Sequence, residues 1–123
     1  MITIKNFSRQ IILKIYENDR ICDFYGRTKF NIRSTSLTDF YGRILYKVDG
    51  EWVKDFYSRM LYKLSGSDFK DFYGKIVLKF DRDSIKDFYG RYLYFIEGDL
   101  DDLHKKILGS LYMEYGSLED AID

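Results

Sequence analysis

The chain has 123 residues, with 20 Lys plus Arg against 20 Asp plus Glu, for a formal net charge of zero. That balance supplies no long-range field to gather a nucleic-acid polymer or an anionic membrane surface. Proline is absent and only nine glycines are present, which excludes a linker or a disordered tail.

The length corresponds to one domain, residues 1–123, large enough to bury a core. Cys22 is the single cysteine, so no intrachain disulfide forms, and the expected setting is reducing and cytoplasmic. Residues 1–14 are interrupted by Lys5, Arg9 and Lys14 and lack a signal-peptide pattern. No apolar run approaches the length of a membrane span.

Residues 4–98 are an internal repeat with a period of 16 residues. Its most regular stretch is Asp-Phe-Tyr-Gly, at residues 23–26, 39–42, 71–74 and 87–90, with Asp55-Phe56-Tyr57-Ser58 between them. A first copy is worn: Asn6-Phe7-Ser8-Arg9 aligns with residues 55–58, giving six copies in all.

Each copy reads as strand, turn, strand, turn. Asp favours the first position of a type I turn, and Gly the position that must pass through positive φ. Ser58 breaks that rule, so its hairpin is expected to be strained or different. In the second strand Ile44, Tyr46 and Val48 share one face, and Arg43, Leu45 and Lys47 the other. The second turn carries Asp49-Gly50, a strong hairpin signal, and is less strict elsewhere.

A lone hairpin is barely stable in water, so six in series must bury one another's apolar columns. The expected columns are Ile21, Leu37, Val53, Phe69, Ile85; then Phe24, Phe40, Phe56, Phe72, Phe88; then Ile15, Ile32, Val48, Leu64, Phe80, Ile96. About twelve strands leave exposed edges unless the sheet closes. A mainly β fold, closing into a rosette or barrel-like meander, is therefore expected, with an open meander as the alternative.

After Glu97-Gly98 the apolar spacing changes to three and four residues, from Leu100 to Leu118. This predicts a C-terminal helix over 99–116, N-capped by Asp99, weakened at Gly109 and ended by Gly116. Its apolar stripe is expected on the end or side of the β-array, or on a second subunit. The acidic residues 117–123 read as a frayed tail.

Repetition also aligns the functional candidates. The acids Asp23, Asp39, Asp55, Asp71 and Asp87 either cap their own turns or form a cation-binding ring; the first reading is preferred. Arg27, Arg43, Arg59, Lys75 and Arg91 form a basic column, suited to anions or to pairing with those acids. Tyr25, Tyr41, Tyr57, Tyr73 and Tyr89 sit at turn tips, where they either pack on the next hairpin or make a ring for a protein, sugars or bases. Trp52 is an anchor candidate near a second turn. His104 has no neighbouring nucleophile and reads as a surface residue; Cys22 reads as a small core residue.

Laid out this way, the chain resembles the four-fold beta-flower family of bacterial proteins. The likeness rests on Asp39-Phe40-Tyr41-Gly42-Arg43 with Val48-Asp49-Gly50, and on residues 87–91 with Ile96-Glu97-Gly98. It spans nearly all of 4–98, with six copies here in place of four and Phe-Tyr where small polar residues are commoner. The resemblance implies the fold and no catalytic residues.

No phosphate loop, metal spacing or nucleophile elbow is present. The expected function is a non-enzymatic binding module without cofactor or metal, of the kind a bacterial inhibitor or immunity-type protein represents. The expected site is the Tyr and Arg columns with Trp52, and the partner a protein, with no nucleic-acid polymer and no membrane. The alternative is a nucleotide or carbohydrate binder. Self-association is foreseen through the helix or through open sheet edges.

Overall fold

The computed structural model describes residues 1–123. Six hairpins follow one another: β1 (Ile2–Asn6) with β2 (Ile11–Ile15), β3 (Arg20–Cys22) with β4 (Thr28–Arg33), and β5 (Ser36–Asp39) with β6 (Ile44–Asp49). The series continues with β7 (Trp52–Lys54) and β8 (Met60–Ser65), β9 (Asp68–Asp71) and β10 (Ile76–Phe80), and β11 (Ser84–Asp87) and β12 (Tyr92–Glu97). Each strand pairs with its sequence neighbours, and β1 closes on β12 with Ile4 opposite Ile96. The result is a closed antiparallel barrel of twelve strands and not an open meander. Closure satisfies every edge, so no open edge remains for a second chain.

Up-and-down order puts alternate turns at the same end. The six Asp-type turns make one rim, here called the crown; the second turns make the far rim. Just after each crown turn, the second strand carries one residue with no partner across the ladder. These bulge residues are Ile12, Lys29, Leu45, Leu61, Val77 and Leu93. Bulges re-aim side chains at barrel rims. All but Lys29 pack against the core, so Leu45 joins Tyr46 and Val48 and does not follow the strict alternation expected of its strand.

Two of the three expected columns line the interior. Ile21, Leu37, Val53, Phe69 and Ile85 are all at most 1% exposed, with Ile4 from the worn first copy at 0%. The third expected column is a misreading: Phe24, Phe40, Phe56, Phe72 and Phe88 are exposed. They occupy the second position of a tight turn, outside the ladder, where apolar repetition no longer means burial.

Helix α1 (Asp102–Tyr115) does not lie on the end or side of the array; it runs through the barrel. Lys106, Ile107, Leu108, Gly109, Ser110 and Leu111 are buried in unbroken succession. At about 100° per residue these six cover the whole circumference of a helix. Eight strands already leave an interior just wide enough for side chains to fill; twelve leave a lumen that needs an inner element.

Lys106 anchors α1 near the far rim, its Nζ donating to the Gly50 carbonyl at 2.6 Å. Tyr46 Oη meets Glu114 at 3.1 Å toward the crown. At the closest approach, a Cβ on Gly109 would stand 2.8 Å from carbons of the Phe69 ring. Glycine at 109 is thus required by packing and is more than a weak point in the helix.

The helix starts later than expected. Asp101, not Asp99, is the N-cap, its carboxylate accepting from the His104 N–H at 2.8 Å. Gly116 ends it in the left-handed region with φ 84°. Residues 117–123 are not frayed: Ser117 caps a short helix, α2 (Leu118–Ile122), and Leu118, Ala121 and Ile122 are buried. Neither helix is long and apolar enough to cross a membrane.

Candidate functional site

The crown is built from one local rule used repeatedly. In residues 23–27 the Gly26 N–H donates to the Asp23 carbonyl, and the Asp23 N–H to the Arg27 carbonyl. Asp23 Oδ1 accepts from the Tyr25 and Arg27 N–H groups, both at 2.9 Å, and Oδ2 from Arg27 Nε at 2.7 Å. Asp39, Asp55 and Asp87 repeat all three bonds with Arg43, Arg59 and Arg91. Asp71 repeats the backbone pair with Tyr73 and Lys75. In the worn copy Asn6 Oδ1 holds the Gln10 N–H at 2.9 Å. Turn capping, not a cation ring, is what these acids do.

Ser58 sits in the left-handed region at φ 65°, where the other turns have glycine. Its hairpin keeps the common geometry, with the Ser58 N–H donating to the Asp55 carbonyl at 3.0 Å. The expected difference reduces to local backbone strain.

The Arg43 guanidinium, with the Arg43 and Tyr41 N–H groups, holds the Asp39 carboxyl below its ordinary value. At Asp23, Asp55 and Asp87 partial burial pulls upward, and the same kinds of donors outweigh it.

With Asp and Gly consumed by the turn, Phe and Tyr are left outside. The five tyrosines are 77–90% exposed and the six phenylalanines, counting Phe7, 46–68%. Within each Asp-Phe-Tyr turn the two rings touch, with centroids 5.3–5.5 Å apart. Arg27, Arg59 and Arg91 lie over the rings of Tyr25, Tyr57 and Tyr89 at 5.3, 5.7 and 5.5 Å. The tyrosines therefore do not pack on the next hairpin.

Inside this ring the barrel mouth is closed by the end of α1 and by α2. The Leu118 N–H donates to Tyr94 Oη at 2.9 Å, and Tyr94 Oη meets Glu119 at 2.5 Å. Burial, reinforced by the adjacent carboxylates, pushes the phenols of Tyr46 and Tyr94 up, so both remain protonated donors. A cavity of about 440 Å³ lies between α2 and the second copy, lined by Ile11, Phe24, Tyr25, Arg27, Lys29, Glu119 and Asp123 among others.

The sequence-derived candidates thus divide. Tyr25, Tyr41, Tyr57, Tyr73 and Tyr89, with Arg27, Arg43, Arg59 and Arg91, come together on one rim. Trp52 starts β7 at the far rim, with Lys63 Nζ 5.4 Å from its ring centroid, and belongs to no common site with them. His104 also lies toward the far rim and is not a surface residue. Its side chain is 13% exposed, with Nδ1 2.6 Å from Asp101 and Nε2 3.4 Å from Asp19. Cys22 is buried.

Sequence reasoning missed the plug of the mouth. A signal for it was present: residues 107–123 contain Glu114, Glu119, Asp120 and Asp123 and no Lys or Arg. Compared with protein-family models, with curated proteins and with solved structures, the chain finds no match in any of the three.

Proposed function

We propose that this protein is a non-enzymatic interaction module and that the crown is its protein-binding face. One observation carries the reading: eleven aromatic side chains stand exposed on one rim, on turns whose backbone is held by their own Asp, or by Asn6 in the first copy. Single exposed apolar residues are ordinary, but contiguous exposed patches mark binding surfaces. Tyr and Phe supply large contact area at low entropic cost. Repetition around an axis also favours binding over catalysis, which needs one asymmetric cluster.

An inhibitor or immunity-type protein is one member of this class, and the four-fold beta-flower resemblance is compatible with it. The outer wall bears Lys47, Lys54, Lys63, Lys70, Lys79 and Lys86, the reverse of the apolar band a lipid-facing barrel requires. The second reading, a nucleotide or carbohydrate binder, is favoured by the cavity beside Phe24, Tyr25, Arg27 and Lys29. Ring stacking would carry that binding.

A photo-crosslinking amino acid placed at position 41, on the crown, and at position 82, on the far rim, separates these readings in the native cell. The first expects a discrete protein adduct from position 41 and none from 82. A melting-temperature rise with nucleotides or sugars, without such an adduct, would replace the first reading with the second.

A further inference from the structure

We propose that the partner of the crown presents a cationic, arginine-bearing segment; this rests on the crown being the protein-binding face. Two independent features of the rim specify that chemistry. The first is a template the chain provides itself. At three of the five tyrosine turns an intramolecular guanidinium lies over the tyrosine ring. Tyr41 and Tyr73 have no such cation, and they are the two most exposed tyrosines, at 85% and 90%. Arg43 binds Asp39 without covering Tyr41, and position 75 is a lysine. Each bare ring offers its negative face to a cation from outside.

The second feature is charge. The rim neutralises itself, since Arg27, Arg43, Arg59 and Arg91 pair with their own turn acids. The mouth does not: Glu114, Glu119, Asp120 and Asp123 have no ion-pair partner among the protein's salt bridges, which include none of them. Arg9, Lys29 and Lys75 are the crown cations in no ion pair, fewer than these four carboxylates and Asp71 together. Buried Tyr46 and Tyr94 hold Glu114 and Glu119 in place. The C-terminal end of α1, whose last turn has no basic residue, adds negative potential. An arginine segment laid across the mouth would stack on Tyr41 and Tyr73 and meet these carboxylates, as guanidinium geometry allows.

The probe is a fluorescein-labelled nonapeptide alternating Arg and Gly, read by anisotropy against its Glu-Gly counterpart. The wild type should bind the Arg peptide saturably and at least about tenfold more tightly than the Glu peptide. Tyr41→Ser with Tyr73→Ser should weaken binding roughly fivefold to tenfold, and more than Tyr25→Ser with Tyr57→Ser. Glu114→Gln, Glu119→Gln, Asp120→Asn and Asp123→Asn combined should weaken it about tenfold. Asp81→Asn with Asp83→Asn, at the far rim, should leave it unchanged; melting curves check that each variant folds. Lack of saturable Arg-peptide binding, or an equal loss from the far-rim variant, overturns the inference. Crown-dependent binding that is blind to peptide charge overturns it too, while leaving the protein-binding reading intact. Failure of the position-41 crosslink would remove that reading itself.

Discussion

The two rims of the barrel perform the same structural task with different sequences. Each closes hairpins by tight turns. At the far rim the turns centre on Glu17-Asn18, Ser34-Thr35, Gly50-Glu51, Gly66-Ser67 and Arg82-Asp83, a set with no common side chain. At the crown, Asp-Phe-Tyr recurs five times. Hairpin closure therefore tolerates wide variation in this barrel. Asp and Gly at the crown are explained by the bonds and the positive φ of the turn. Phe and Tyr are not, because they point into solvent and close nothing. What the fold does not require, yet repeats, is the surface the molecule presents.

The largest expected effect tests whether both rims belong to one plugged barrel. Phe69→Ala removes the wall residue against Gly109 and should cost about 3–5 kcal/mol in denaturant unfolding. Gly109→Leu should cost at least about 1–3 kcal/mol by overpacking. A helix lying outside the barrel would make Gly109→Leu nearly silent, whereas Phe69 would still pack on Tyr62 and Phe80.

Next comes the contrast between turns. Asp39→Ala takes the acceptor from two backbone N–H groups and one guanidinium. It should lower the melting temperature by a few degrees, more than Asp83→Ala at the far rim. Equal losses would erase the distinction between structured and permissive turns.

Acid should act on the crown through the same groups. Asp23, Asp39, Asp55 and Asp87 have folded values below their ordinary ones. Their stabilisation is complete above about pH 4 and is lost as pH falls through the folded values. Unfolding free energy followed from pH 6 to pH 2 should decline in that lower window. The decline should shrink when these four positions are Asn. A smaller effect still is Ser58→Gly, which relieves a left-handed serine and should stabilise by about 0.5–1 kcal/mol.

The repeat made the wall legible from residues alone, since Ile21, Leu37, Val53, Phe69 and Ile85 recur in register and all face inward. The turns were legible too, because Asp and Gly there have a fixed stereochemical use. Three features were not. The Phe24 column shows the same period as the core, and periodicity cannot tell a strand interior from a turn tip. The bulge at Leu45 and its equivalents adds a residue that a strict two-residue period does not contain. The site of α1 depends on lumen width, a property of twelve strands together. With the lumen unknown, a helix carrying an apolar stripe, Lys106 and Gly109 read as a surface element. The acidic mouth of the candidate site followed that error, because the chain past Gly116 read as a loose end.

The most direct measurement is thermal unfolding of the variant in which Tyr25, Tyr41, Tyr57, Tyr73 and Tyr89 are all replaced by Ser. If the crown rings serve recognition and not folding, the midpoint should stay within about 3 °C of the wild type. A fall of more than about 10 °C would show that these rings hold the barrel together, and would contradict the account.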